Sequence, residues 1–517
     1  PPFTADVIAC WVADFWLGME VVDLLGVDEK ATRHRTALDA VGPVRPQLAG
    51  HHAVEHGAGE RGVDRDGVER AAGGRDRGVG VLRHRAIVAT LSRCRAGAAG
   101  RGVGHDGPVT EHLPADELAP DPAPRSRAAR RALADDGGPD WNPRGPAVRR
   151  DPVAAYDGMR GACPVAKGPD GAWTLFSHAA VVRAALDPVT FSNAVSAHLQ
   201  VPNGLDGPEH TAYRAVVERY FTPERMAALE PVVQRVAAEL VAELAVPGRV
   251  DAVILGSHFA VRAQSAWLGW PADLAGDLLA WMADNQAATR SRDRARTAEV
   301  ARRFDAIIRA LTDARRAAGD AAPDDVTTEL VRERVDGRPL TDDEIVSILR
   351  NWTGGDLGSM ALAAGVVLTY LADHPGLQAR LRAGVSDAEL DAAIDEMLRI
   401  DDPFVANRRV ATRDVTVGGR TIAAGDRVFL NWTAANRDRQ VFGDPDAFDP
   451  DEHAPYNLVY GIGKHVCPGR PLATLELRVL ARAVLAATTA VEPDPRRRRE
   501  RAQPPVGGYA VAPLLLR

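Results

Sequence analysis

Ten residues near the C-terminus, Tyr460-Gly-Ile-Gly-Lys-His-Val-Cys-Pro-Gly469, run straight into a helical pattern, Arg470-Pro-Leu-Ala-Thr-Leu-Glu-Leu-Arg478. Gly461, Gly463 and Gly469 let backbone adopt φ > 0 and pass close to a flat object. Cys467 stands just before the helix start, with Pro468 at the first turn. Free backbone N–H groups and the helix dipole stabilise a thiolate there. Lys464 and His465 add positive charge beside it. A glycine-wrapped thiolate at a helix N-terminus is what an iron ligand needs. A lone cysteine is more often a buried structural residue. That reading is kept for Cys10, Cys94 and Cys163, and the glycine frame argues against it for Cys467.

The sequence around this loop is helical in texture. Apolar residues recur at helical spacing over Met226–Leu244, His258–Ala288, Ala298–Arg316, Asp342–Leu371, Ala388–Ile400 and Pro471–Ala487. Strand signals are short: Trp173-Thr-Leu-Phe176, Val415-Thr-Val417 and Arg427-Val-Phe-Leu-Asn-Trp432, with Gly418-Gly419 as a hairpin turn between two of them. The fold class expected is mainly α with a minor β-sheet region, and no internal repeat is visible.

Residues 33–110 have a different texture. They hold 13 Arg, 15 Gly, 12 Ala and 6 His, but no Phe, Trp, Tyr, Met, Lys or Asn. So little apolar surface cannot offset chain entropy. His51, His52 and His56 lack the helix period or paired cysteine that would make a metal site. GC-rich coding DNA read in the wrong frame gives this mixture. The whole chain has 60 arginines against three lysines, which also points to a GC-rich genome. Residues 1–112 are therefore expected to be a disordered or mistranslated extension, and 113–517 the enzyme. The chain begins Pro-Pro without Met, as a fragment or a conceptual translation does. A net charge of −7 argues against general nucleic-acid binding. Four scattered cysteines make no disulfide framework, and a cytoplasmic location is expected. The sequence shows no apolar run expected to span a bilayer; Val7–Leu25 is interrupted by Asp14, Glu20 and Asp23.

The cysteine loop resembles the haem-binding signature of the cytochrome P450 superfamily, Phe-Gly-x-Gly-x-His/Arg-x-Cys-x-Gly, with Tyr460 in place of Phe. Glu396-Met-Leu-Arg399 resembles the family's Glu-x-x-Arg, a buried pair bracing the haem pocket. Pro208-Glu-His-Thr-Ala-Tyr-Arg214 resembles the helix that reaches the haem propionates. His210 and Arg214, one turn apart, are expected to face one carboxylate. Arg409-Val-Ala-Thr-Arg-Asp414 resembles the strand whose first Arg holds the other, with His465 a further candidate. The resemblance implies haem b, held between the mid-chain long helix and the Cys-loop helix, with Cys467 as axial thiolate.

Two departures stand out. Asn351-Trp-Thr-Gly-Gly-Asp-Leu-Gly-Ser359 falls where the family has Ala/Gly-Gly-x-Asp/Glu-Thr. Leu357 and Gly358 occupy the acid and alcohol positions, with Asp356 one residue earlier and Ser359 one later. Asp356 and Ser359 share a helix face and are expected to deliver protons, with Gly354, Gly355 and Gly358 opening the helix. A plain alternative has Ser359 bonding back to a helix carbonyl. The variant resembles a bacterial subgroup linked to thiocarbamate and aromatic-ether oxidation. The second departure is Ala447, where many relatives carry a basic residue bracing Glu-x-x-Arg. Arg408 and Arg437 are the candidate substitutes.

The resemblance implies a monooxygenase that inserts one atom of O₂ into a small or medium lipophilic, preferably aromatic, substrate by hydroxylation or O-/N-dealkylation. The pocket is expected to draw on Val195–Val201, the mid-helix glycines, Pro403–Val405 and Val506–Tyr509. A haem-binding sensor of weak activity and a peroxide-driven enzyme are the alternatives. The 50 residues after Cys467 contain no Cys, so no iron–sulfur centre follows, and no dinucleotide fingerprint occurs. Electrons are expected from a separate ferredoxin and NAD(P)H-driven reductase. Lys464, Arg470, Arg478 and Arg482 are the candidate docking patch, or else a solvated helix face.

Overall fold

The computed structural model describes residues 140–196, 198–291 and 293–517. The expected boundary at residue 112 lies outside these residues. The principal helices, labelled in chain order, are α1 (Gly207–Glu218), α2 (Pro223–Ala242), α3 (Ala252–Leu268), α4 (Ala275–Ser291), α5 (Arg294–Ala318), α6 (Asp342–Gly354), α7 (Asp356–Asp373), α8 (Asp387–Ile400) and α9 (Arg470–Ala487). The largest sheet has five strands: β1 (Val165–Lys167), β2 (Trp173–Leu175), β3 (Phe191–Ser192), β4 (Ala406–Ala411) and β5 (Arg427–Asn431). Its spatial order is β1-β2-β5-β4-β3, antiparallel except where β5 runs parallel to β2.

Local chemistry fixes the helix ends. Asp251 caps α3 by accepting from the Val253 and Ile254 amides. Thr341 with Glu344, and Ser386 with Glu389, form reciprocal capping boxes at the starts of α6 and α8. The periodic stretch expected over 258–288 divides in two. Gly269 takes φ 73° at the end of α3, and Pro271 follows it, so the chain turns before α4 begins. Gly418 and Gly419 do make a hairpin turn. It joins Val415–Val417 to Arg420–Ile422, so the expected pairing with Arg427–Trp432 is corrected.

α6 and α7 nearly form one long rod, broken at Gly355. A Cβ at Gly355 would lie 2.6 Å from the Asn351 carbonyl oxygen, so a glycine is needed there. Among the described residues, Asp342–Asp373 is long and apolar enough to cross a membrane, which amends the sequence expectation. It is a core helix here, with 78% of its apolar window buried in protein. α3 crosses it with almost no space between the backbones. A Cβ on Gly256 would come within 2.8 Å of both the Ala361 carbonyl oxygen and Ala364 Cβ, and one on Gly365 within 2.8 Å of Val253 Cγ2.

Candidate active site

The cysteine loop lies between the sheet and the first turn of α9. Gly461 (φ 72°) and Gly463 (φ 77°) both use the left-handed region. The loop folds back on itself: the Cys467 amide donates to the Tyr460 carbonyl (2.9 Å), and the Val466 amide to Gly463 (3.0 Å). A Cβ on Gly469 would sit 3.8 Å from Cys467 Sγ. Cys467 is exposed only in the sense that it looks into an internal cavity. Burial raises its pKa, and the Gly469 and Arg470 amides oppose the shift without overcoming it. The thiolate stabilisation expected from the helix start is present in those two amides, with burial acting against it.

The cavity is lined by Cys467 and Leu472 together with Gly355, Met360 and Ala363. Arg409 and His465 reach its edge. Arg409 is 5% exposed, and its Nη1 donates to the Arg408 carbonyl at 2.7 Å. No carboxylate lies within ion-pair distance of it among the described residues. Burial pulls its pKa down to about 10. A buried guanidinium of this kind calls for an anion. His465 Nε2 stands 3.6 Å from Asp206, and the His210 ring packs on it with centroids 4.1 Å apart. Burial and the neighbouring His465 and Arg214 push His210 down to about 4. The site therefore fits a flat group with anionic edges and a sulfur-ligated metal.

Neither His210 nor Arg214 lines the cavity. Arg214 Nη1 donates to the Val466 carbonyl (2.6 Å) and its Nε to Glu218 (2.6 Å). The guanidinium takes the nearest acceptors, and His210 stands behind His465.

Glu396 and Arg399 form the expected pair with both carboxylate oxygens engaged, Nε to Oε2 at 2.7 Å and Nη2 to Oε1 at 2.9 Å. Arg399 is 0% exposed and also donates to the carbonyls of Asn436, Pro445 and Ala447. The third member is His453. Its Nδ1 lies 2.7 Å from Glu396 Oε1, and the Asp449 amide donates to the same oxygen at 3.1 Å. Neither expected substitute fills this place. Arg437 is taken up by Asp157, Asp446 and the Ile400 carbonyl, and Arg408 lines the cavity.

Asp356 and Ser359 both line the cavity. Ser359 Oγ donates to the Gly355 carbonyl (2.8 Å) and lies 3.1 Å from that of Asp356, so the back-bonded geometry is the one present. Asp356 accepts from Gln264 Nε2, and burial raises its pKa to about 6. The apolar walls come from Val195, Pro403 and Phe404, as expected. The tail does not line them. Val506 bridges to Phe404, and the Gly507 amide holds the Pro403 carbonyl (2.9 Å), so the tail supports this wall from behind.

The expected docking arginines are occupied. Arg470 pairs with Asp395 (2.8 Å), Arg478 with Asp391 (2.6 Å) and Arg482 with Asp387 (2.6 Å). Acids on α8 neutralise that face of α9, and Lys464 remains exposed.

A cytochrome P450 family profile matches residues 286–508. The cyclomarin C epoxidase CymV of Salinispora arenicola is 33% identical over 340 residues, covering 62% of this chain and 84% of that protein. The erythromycin C-12 hydroxylase of Saccharopolyspora erythraea is 31% identical over 348 residues, covering 63% and 85%. Cytochrome P450 CYP109Q5 from Chondromyces apiculatus superposes with a TM-score of 0.64 at 26% identity, covering 73% of this chain and 98% of that one. With the cysteine loop, the buried Glu-x-x-Arg pair and the helical fold all in place, this chain belongs to the cytochrome P450 superfamily, as an oxidoreductase of the monooxygenase class that binds haem through a cysteine thiolate.

Proposed function

We propose that this P450 oxygenates a lipophilic small molecule held in the cavity between Cys467 and α7, where the Cys467 thiolate would ligate the haem iron. The observation carrying this reading is the buried Arg409, aimed at the cavity edge without a carboxylate of its own. Arg409 and His465 would hold the haem carboxylates, with His210 backing His465 and Arg214 fixing the loop through Val466. Gly461 and Gly469, on the cavity lining, would leave room for a porphyrin there. Bound haem supplies oxygen activation, one atom entering the substrate and the other leaving as water with two electrons and two protons. Val195, Met360, Ala363 and Phe404 exclude water and favour apolar, aromatic ligands. The two relatives, an epoxidase and a hydroxylase, agree with oxygen insertion. A separate ferredoxin and reductase supply the electrons, docking near exposed Lys464.

A ligand screen read by the haem absorption shift, followed by turnover with a surrogate ferredoxin system, tests this reading. Oxidised product is expected from the ligands that shift the band. Ligands that bind without ever being oxidised would favour a sensor.

Asp356 and Ser359 are assigned to proton delivery. Ser359 spends its hydrogen on helix carbonyls, which leaves its lone pairs to accept from water in the cavity. Burial raises the Asp356 pKa, which suits a group that must hold and release a proton. Asp356→Asn is expected to slow turnover roughly tenfold or more, and Ser359→Ala to divert oxygen to peroxide, with haem content unchanged in both. Wild-type rate and coupling in both variants would remove these residues from the catalytic set.

Residues 1–112 are proposed to be dispensable. A chain beginning at Leu113 is expected to bind haem and melt with the full chain. Loss of haem, or a melting temperature several degrees lower, would make the extension part of the fold.

A further inference from the structure

The segment 193–206, between β3 and α1, is fastened at two places. At its base Asp206 accepts from Ser192 Oγ (2.5 Å), the Asn193 amide (3.1 Å) and Asn193 Nδ2 (3.2 Å). Further along, Ser347 Oγ of α6 accepts from the Val201 amide (2.9 Å) and donates to the Leu199 carbonyl (3.0 Å). One helical turn on, Asn351 Nδ2 donates to the Val201 carbonyl (2.8 Å). Tight turns close the residues that follow: the Gly204 amide donates to the Gln200 carbonyl (2.7 Å) and the Leu205 amide to that of Pro202 (3.0 Å). Asn203 therefore sits on fixed backbone, two residues from the point where Asn351 grips the segment.

This segment and α6 give the cavity six lining residues: Asn193, Val195, Pro202, Asn203, Asn351 and Trp352. Three are asparagines and none is charged. Their amides are only partly used within the protein. The Asn203 side chain makes no hydrogen bond among the described residues, and Oδ1 of Asn193 and of Asn351 accepts none. A wall meant for hydrocarbon alone carries apolar side chains, as this cavity does at Met360, Ala363 and Phe404. An amide offers a donor and an acceptor side by side. A charged ligand group would find no countercharge on this wall. A neutral group with its own donor and acceptor, another amide, matches it. Asn407 stands apart from the set. Its Oδ1 accepts from Trp432 Nε1 (2.8 Å), and it shares a strand face with Arg409.

We propose that the ligand of this cavity carries a neutral, peptide-type amide, which Asn203 and Asn351 bind with Asn193 beside them, while the apolar remainder lies along Met360, Ala363 and Phe404. This rests on the monooxygenase reading and narrows its substrate class. Ser347 does not line the cavity; it is a positioning residue that holds the segment in place.

Titration of the holoprotein with two probes, read by the haem absorption shift, tests this without turnover. The probes are the N-methylamide of phenylbutanoic acid and its methyl ester, which has nearly the same shape and no N–H. The amide is expected to bind about fivefold more tightly or better, and the phenylbutanoate anion more weakly than either. Asn203→Leu and Asn351→Leu should each remove most of the preference for the amide. Ser347→Ala loosens the segment without changing the lining, so it should weaken both probes alike and keep the preference. If the asparagine variants also weaken both probes alike, their role is structural and the proposal falls. It falls too if wild-type protein binds amide and ester equally, if the preference survives both asparagine variants, or if the amide binds neither by absorption shift nor by calorimetry. An amide bound with the expected preference but never oxidised with a surrogate ferredoxin system would support the amide site and count against the oxygenation reading.

Discussion

Replacing Cys467 by His is expected to give a haem-binding protein whose reduced carbon monoxide complex lacks the red-shifted Soret band, with monooxygenation below detection. The loop geometry carries the expectation. Gly461 and Gly463 hold the left-handed turns, the Tyr460 and Gly463 carbonyls are already bonded within the loop, and the space beside Gly469 is open to the sulfur. None of these features depends on the side chain at 467, so the pocket should survive the change. The electron release that favours O–O cleavage belongs to the thiolate and is lost with it. Cys467→Ser, closer in size, should lose the band as well. The other described cysteine, Cys163, is buried with its Sγ 3.3 Å from the Val165 carbonyl and does not line the cavity. A normal band in either variant would place the ligand elsewhere.

Arg399→Ala is expected to be the most destabilising single change in the described fold. It strips a fully buried carboxylate of its two-pronged partner and leaves the carbonyls of Asn436, Pro445 and Ala447 without their donor. Breaking a buried pair from one side costs about 3–5 kcal/mol. The melting temperature should fall by several degrees or more and the protein should be recovered largely without haem, as the segment 436–449 loses its attachment to α8. Arg399→Lys should restore little, because an ammonium does not reproduce the planar fork. His453→Leu should cost less, about 1–3 kcal/mol, since Glu396 keeps Arg399 and the Asp449 amide. Thermal melts and the ratio of haem to protein absorbance measure both effects. An Arg399→Ala protein that melts with wild type would deny the pair its bracing role.

The cysteine loop was legible because its chemistry is local. Three glycines, a cysteine and a helix start lie within ten residues, and the Glu-x-x-Arg pair is one helical turn. The helices over 294–318 and 387–400 were legible from periodicity. Gly269 and Pro271 were the visible signs that 258–288 would divide, and apolar spacing masked them. His453 could not be found from sequence. It reaches Glu396 across 57 residues, and only the folded chain brings them together. The pairing of the candidate docking arginines was hidden for the same reason, since their partners on α8 are distant in sequence and adjacent in space. Gln264 did leave a signal, a polar residue in an apolar helical stretch, but the signal does not say that it reaches Asp356.

The close crossing of α3 with α7 bears on how the substrate range of such a protein can change. Where Gly256 meets Ala361 and Gly365 meets Val253, added atoms on either helix have nowhere to go. The helical side of the cavity is thus effectively immovable. Variation that admits larger or differently shaped ligands should accumulate on the other side, at Asn193, Val195 and Asn203 and along Pro403–Asn407. A library restricted to those positions should yield new specificities with little loss of folded protein, whereas one spread along the glycine crossing should mostly yield unfolded chains.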